Sequence, residues 1–206
     1  MTPAPRSRPA DVPPLPLHLW RRLDFRFLLP TLAPTGVACA GAFDDDLAAA
    51  LPLLGTTVHR IAAPGDWASV PDVEVVVLVR PEPADLAAAA AAVAAGGWVY
   101  AEIGRDLRRP RGYRTLPGWR RAFRAQGLTD VTASWHAPDL AHCSRIISLE
   151  ARTVLRDALL RHDAVRFGAA LSVAGRLAVR AGVFPFAVPE GSVVGRRPLE
   201  SSGGTS

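Results

Sequence analysis

Three stretches of this 206-residue chain carry residue types that do chemistry. The first is Trp135-His136-Ala137-Pro138-Asp139-Leu140-Ala141-His142-Cys143, which gathers two histidines, a carboxylate and a thiol. His136, Asp139, His142 and Cys143 are all ligand types for a transition metal. Their spacing matches no structural zinc pattern and Pro138 marks a loop, so the expectation is a loop over a sheet edge, with no metal. A loop facing substrate is the alternative. In an enzyme, His136 would be the candidate general base, because histidine alone titrates near neutrality without help. The second stretch is Asp44-Asp45-Asp46, whose D-x-D spacing suits a hard divalent cation. The simpler reading is a helix start, where acidic side chains complement the dipole. The same acids would repel a phosphate there.

The third stretch holds eight arginines between Arg105 and Arg124 against Asp106 alone, a local charge of +7 in a chain of net charge +5. Arg105, Arg108, Arg109 and Arg111 are candidate ligands for a phosphorylated or sulphated substrate, a nucleotide-linked sugar or an acidic partner. The alternative is a solvated loop followed by an exposed helix face. Nucleic acid is not expected, because the remaining surface is slightly acidic and no nucleic-acid motif is present. All 24 basic residues are arginine. Without lysine there is no Schiff base, no PLP attachment and no Walker-type phosphate loop. Arginine and alanine in such excess mark a GC-rich bacterial genome.

The elements that must position these residues follow from hydrophobic patterning. Residues 17–29 read as a short helix and an extended piece. Gly36 to Ala40 is a buried strand, Asp44 to Leu54 a helix, and Thr56 to Ile61 a β-branched strand. Val73 to Val79, Pro83 to Ala95 and Trp98 to Ile103 form a strand–helix–strand unit, with Gly96-Gly97 closing the helix. Such a unit is right-handed and parallel, and its near-continuous apolar strands require a sheet covered on both faces. A basic loop, a helix over Pro117 to Gly127 and a strand over Leu128 to Trp135 come next. Helices are expected over Arg152 to His162 and Ala164 to Ala181, and a last strand over Ser192 to Arg197. In the 164–181 helix, Arg166, Arg176 and Arg180 fall in a narrow stripe beside a wide apolar face. With Val183-Phe184-Pro185-Phe186, that face suits packing on the sheet or on a protein partner. Internal arginines argue against spanning a bilayer and leave only peripheral membrane contact.

Residues 1–16 lack the apolar run of a secretory signal and read as a disordered leader. Residues 200–206 read as a tail of the same kind, leaving one domain over 17–199 with a helical insertion at about 152–182. Two cysteines are too few for a disulfide framework, so the expected compartment is a reducing cytoplasm.

The order of elements resembles the class I S-adenosylmethionine-dependent methyltransferases over Gly36 to Trp135. Asp72-Val73-Glu74-Val75-Val76 looks like the family's fourth strand with its leading acid. Ala94-Ala95-Gly96-Gly97-Trp98-Val99-Tyr100-Ala101-Glu102 is similar to its helix, double-glycine turn and fifth strand. Gln126-Gly127-Leu128-Thr129-Asp130-Val131 is similar to the lead into its sixth. The resemblance implies an α/β fold: an open, mostly parallel Rossmann-like sheet with helices on both faces, in a shortened methyltransferase-like topology. It also implies S-adenosylmethionine as cofactor, with Gly41, Ala42 and Phe43 at the methionine part and Asp66 and Trp67 at the adenine. Three departures stand out. The first loop holds one glycine and a phenylalanine, the second strand ends His59-Arg60-Ile61-Ala62 without a ribose-binding acid, and about ten residues replace the usual helix and third strand. Two functions are therefore expected: methyl transfer to a small-molecule or sugar acceptor in bacterial biosynthesis, or a catalytically inactive accessory subunit that binds a partner protein.

Overall fold

The alternation of apolar side chains along the central strands builds two cores, one on each face of a single sheet. A computed structural model describes residues 17–42, 45–137, 139–140, 142–162 and 169–199. The expected leader and tail, and Phe43, Asp44 and Arg166, lie outside them. The strands are β1 (Gly36–Gly41), β2 (Thr57–Ile61), β3 (Val73–Val79), β4 (Val93–Gly104), β5 (Thr129–Ala137), β6 (Arg145–Ser148) and β7 (Glu190–Arg196). Their order is β2-β1-β3-β4-β7-β5-β6. β1 pairs in parallel with β2 and β3, and β3 with β4. β7 runs antiparallel to both β4 and β5, and β6 antiparallel to β5. Five strands therefore point one way and two the other, a mostly parallel α/β sheet.

On one face Val37, Cys39, Val75, Val77, Val79 and Tyr100 pack beneath Leu23, Phe25, Leu47 and Leu51. These come from α1 (Leu17–Arg22), a 3-10 turn over Asp24–Leu28, and α2 (Asp45–Ala50) with its own 3-10 continuation over Leu51–Leu54. On the other face Ala38, Val76, Leu78, Val99, Ala101 and Ile103 meet Leu86, Trp119, Phe123 and Leu155. Those side chains belong to α3 (Pro83–Ala92), α4 (Leu116–Ala125) and α5 (Arg152–His162), with α6 (Ala169–Arg180) and α7 (Phe184–Ala187) outside them. Burial on both faces is why VEVVVLV shows no polar alternation apart from Glu74, whose carboxylate accepts from Thr35 N at 2.7 Å.

Four expectations are corrected. The piece after the first helix is a 3-10 turn, not an extended strand. The 44–54 helix changes to 3-10 at Leu51, where Pro52 removes a backbone donor. Gly96-Gly97 does not close α3, which ends at Ala92. Instead Val73 and Val75 of β3 stand opposite Val93 and Trp98 of β4, so β4 holds three extra residues there, and the bulge turns at Gly96 with φ +79°. Finally, β5 runs on to Ala137, so His136 lies in a strand where a loop was expected.

Candidate active site

All four parallel strands β1 to β4 end along one edge, the position at which open α/β sheets bind ligands. Two clefts lie there. The first, about 520 Å³, is bounded by the ends of β1 (Ala40, Gly41) and β2 (Arg60, Ile61), the Ala62–Pro64 segment, Trp67, and Asp85 of α3. A Cβ on Gly41 would stand 2.1 Å from the Val79 carbonyl oxygen, at a φ of +99°. Ala42 N donates to that oxygen at 2.8 Å. The glycine thus serves the approach of β1 to β3. A 3-10 turn over Pro64–Ser69 carries the aromatic wall. Asp66 Oδ2 accepts from Ala62 N at 2.9 Å and Ala63 N at 2.8 Å, which fixes the turn. Trp67 is half-buried against the apolar layer and faces the cleft, which Asp66 does not line. Asp85 Oδ2 accepts from Glu82 N at 2.7 Å. A carboxylate offers about four acceptor positions, so Asp85 keeps capacity for a ligand.

An aromatic face, an apolar wall and a carboxylate match what an adenosyl group presents: a purine face and ribose hydroxyl donors. The carboxylate comes from α3 rather than from the end of β2, where Arg60 stands opposite Cys39.

The second cleft, about 490 Å³, lies beyond the ends of β3 and β4 and is bounded by Arg80, Ile103, Arg105, Asp106, Arg109, Trp119 and Glu190. Arg80 has φ +49°, an uncommon conformation for a side chain of this size. Its N–H donates to the Glu102 carbonyl at 2.9 Å, and its guanidinium pairs with Glu190 at 3.1 Å. Arg109 donates to the Pro81 and Arg80 carbonyls, pairs with Glu82 at 3.2 Å and Asp106 at 3.6 Å, and lies 5.9 Å from the Trp119 ring. Those contacts make Arg109 the clasp that holds the basic loop to the β3–α3 turn. Arg105 has no ion-pair partner among the described residues and is the cleft's available cation. Arg108 and Arg111 do not line it. Of the four candidate anion ligands, the fold brings Arg105 and Arg109 to the cleft, and of these two only Arg109 has an ion-pair partner among the described residues.

A third polar group is buried on the sheet face beneath α1. Arg22 donates to both Glu102 oxygens at 3.0 Å, with the two residues 6% and 4% exposed. The Tyr100 hydroxyl donates to Glu102 at 3.4 Å. Glu102 stands opposite Ser192, which stands opposite Ser134. His136 Nε2 and Ser192 Oγ share a 2.8 Å hydrogen bond. His136 is 4% exposed and lines neither cleft. Burial, reinforced by the Arg22 charge, lowers its pKa to about 4, so the ring is neutral at physiological pH. Burial and the Glu102 charge push Tyr100 well up. His136 is in this setting a fixed hydrogen-bonding partner and not a base within reach of a ligand.

The remaining candidate ligands diverge. Asp139 pairs with His142 at 3.1 Å on the surface, while the buried Cys143 thiol donates to the Arg145 carbonyl. No three ligand-type side chains gather to hold a metal among the described residues. Sequence reasoning missed Asp85, Arg80 and Glu190. Their signals were an acid at the third position of a helix start, an arginine at a strand end and an acid before a strand, all of which are common.

No protein-family profile matches the sequence, and no curated protein matches it. Solved structures do match. A SAM-dependent methyltransferase from Archaeoglobus fulgidus is 9% identical with a TM-score of 0.51, over 87% of this chain and 94% of that one. One from Thermotoga maritima is 10% identical with a TM-score of 0.45, over 87% and 89%. A phosphoethanolamine N-methyltransferase from Haemonchus contortus, solved with S-adenosylhomocysteine, is 10% identical with a TM-score of 0.46, and this chain spans 52% of it. The chain has a class I methyltransferase-like, Rossmann-like fold. At these identities the likeness concerns the fold alone.

Proposed function

We propose that the protein binds S-adenosylmethionine in the first cleft and methylates a small-molecule or sugar acceptor held in the second. The observation that carries this reading is the first cleft's composition, with Trp67, the Ile61–Pro64 wall and Asp85 converging where such sheets take ligands. Trp67 would stack on the purine, and Asp85 would accept from the ribose hydroxyls. Gly41 and Ala42, with Phe43 beyond them in the chain, would flank the methionine part. When bound, the cofactor supplies an electrophilic methyl group, which the acceptor's nucleophile takes as the carbon–sulfur bond breaks. Arg105 would hold an anionic group of the acceptor, and the acceptor's proton would pass to solvent at the open edge. Such transfer rests on proximity and in-line orientation and needs no dedicated base, in keeping with the buried, neutral His136. Both cysteines are buried free thiols, which supports a reducing bacterial cytoplasm as the setting.

Titrating S-adenosylhomocysteine into the full chain by calorimetry tests the reading. One saturable site, weakened by Trp67→Ala and by Asp85→Asn, is expected. Absence of heat and of any thermal shift at millimolar ligand would refute it. That result would favour the second reading, a non-catalytic subunit that docks a protein through its 164–186 face. Three observations motivate it: Gly41 and Asp66 are consumed by local structure, and Arg60 stands where an acid is usual. A stable stoichiometric partner on purification from the native host would support it.

A further inference from the structure

On the far side of the second core, α5 and α6 enclose a cleft of about 480 Å³ that the methyl-transfer reading does not use. Arg152 and Arg156 line it from α5, and Arg176 and Arg180 from α6. Each pair is spaced i, i+4, so its guanidiniums share one helical face and repel each other. Among the described residues, no carboxylate lines the cleft. Glu150, just before α5, pairs with Arg120 at 2.5 Å. Leu177, 60% exposed, and Val173, 46% exposed, line the same cleft. Exposed aliphatic side chains beside four like charges suit a ligand that is anionic at one end and apolar at the other.

We propose that this cleft binds a phosphate monoester bearing an apolar chain, with the arginine forks taking the phosphate oxygens and Leu177 and Val173 taking the chain. Guanidinium groups match phosphate oxygens in pairs, which gives the polar half of the recognition. The apolar half follows from removing exposed aliphatic surface from water. The same chemistry is presented by a dispersed amphiphile and by an anionic lipid headgroup with its acyl chains. The site is separate from the clefts at the carboxyl edge, so its test stands apart from that of methyl transfer.

Decyl phosphate, held below its micelle concentration, is titrated into the full chain by calorimetry, with inorganic phosphate in parallel. Saturable binding of decyl phosphate about ten-fold or more tighter than inorganic phosphate is expected. Arg176→Gln with Arg180→Gln should weaken it by a similar factor, as should Arg152→Gln with Arg156→Gln on the other helix. Leu177→Ser should lower the affinity for decyl phosphate and leave that for inorganic phosphate unchanged. All these side chains except Arg176 are exposed, and a thermal melt confirms that each variant folds. Co-sedimentation with phosphatidylcholine vesicles that contain phosphatidic acid but not with phosphatidylcholine vesicles alone, lost in the arginine variants, would assign the phosphate to a membrane surface. Binding of decyl phosphate without vesicle binding would assign it to a free amphiphile. Absence of binding to both probes, or binding indifferent to the arginines or to Leu177, would overturn the proposal.

Discussion

The buried network over β4 and the open clefts at the strand ends use the same residue types, and they do opposite work. Glu102 is sealed by α1, gripped by Arg22 at both oxygens and touched by Tyr100. Asp85, one strand–helix connection earlier, holds its helix start with one oxygen and faces a cleft. His136 and Arg105 make the same contrast. The histidine is enclosed and neutral, while the arginine stands in an open cleft without a counter-ion among the described residues. Polar groups with every partner supplied by the fold fix its shape. Groups left facing a cleft are the ones able to act on a ligand.

The comparison is broken most severely at Glu102. Glu102→Ala leaves Arg22 charged in a dry site, and loss of one partner of a buried pair costs about 3–5 kcal/mol. Chemical denaturation should show that loss, and a variant of unchanged stability would mean the pair does not anchor α1. The next effect is on pH dependence. With a folded pKa of about 4 against 6.5 when unfolded, His136 binds its proton only in the unfolded chain between those values. Its contribution is complete above pH 6.5 and falls as pH drops towards 4, by about 3 kcal/mol in all. Denaturation from pH 7 to 4 should show that part of the acid slope vanish in His136→Gln. An unaltered slope would place the ring in contact with solvent.

Trp67→Ala sharpens the other side of the comparison. It should reduce S-adenosylhomocysteine affinity by about ten-fold, or about 1.4 kcal/mol, while the partly buried ring costs less in stability than a core tryptophan would. The smallest effect is at Arg80, whose φ of +49° glycine adopts without strain. Its pair with Glu190 is half-exposed and contributes little. Arg80→Gly should therefore leave unfolding free energy within about 1 kcal/mol of the parent.

Much of the scaffold is legible along the chain. Val73 to Val79 is found at the expected boundaries because a strand buried on both faces admits almost no polar residue. β6 escapes because RIIS is four residues long at a sheet edge, with a single buried position. The site is harder to read. Its first cleft draws Gly41, Arg60, Trp67 and Asp85 from four separated segments, and only Gly41 and Trp67 were singled out, both through the family resemblance. Asp66 stood out too, yet its carboxylate is turned into the chain by Ala62 and Ala63 N–H. Helix-start acids look alike in sequence whether they cap, as Asp66 does, or also face a cleft, as Asp85 does. The basic run shows the same degeneracy: Arg109 and Arg105 are four residues apart, and only packing makes one a clasp and the other an available cation.

The most direct test of the central claim is amide and indole chemical-shift mapping of the ¹⁵N-labelled full chain with S-adenosylhomocysteine. The expected result is saturable shifts of Gly41, Ala62, Ala63 and the Trp67 indole N–H, with His136 and Ser192 unmoved. Shifts confined to the buried network, or none at millimolar ligand, would contradict the account.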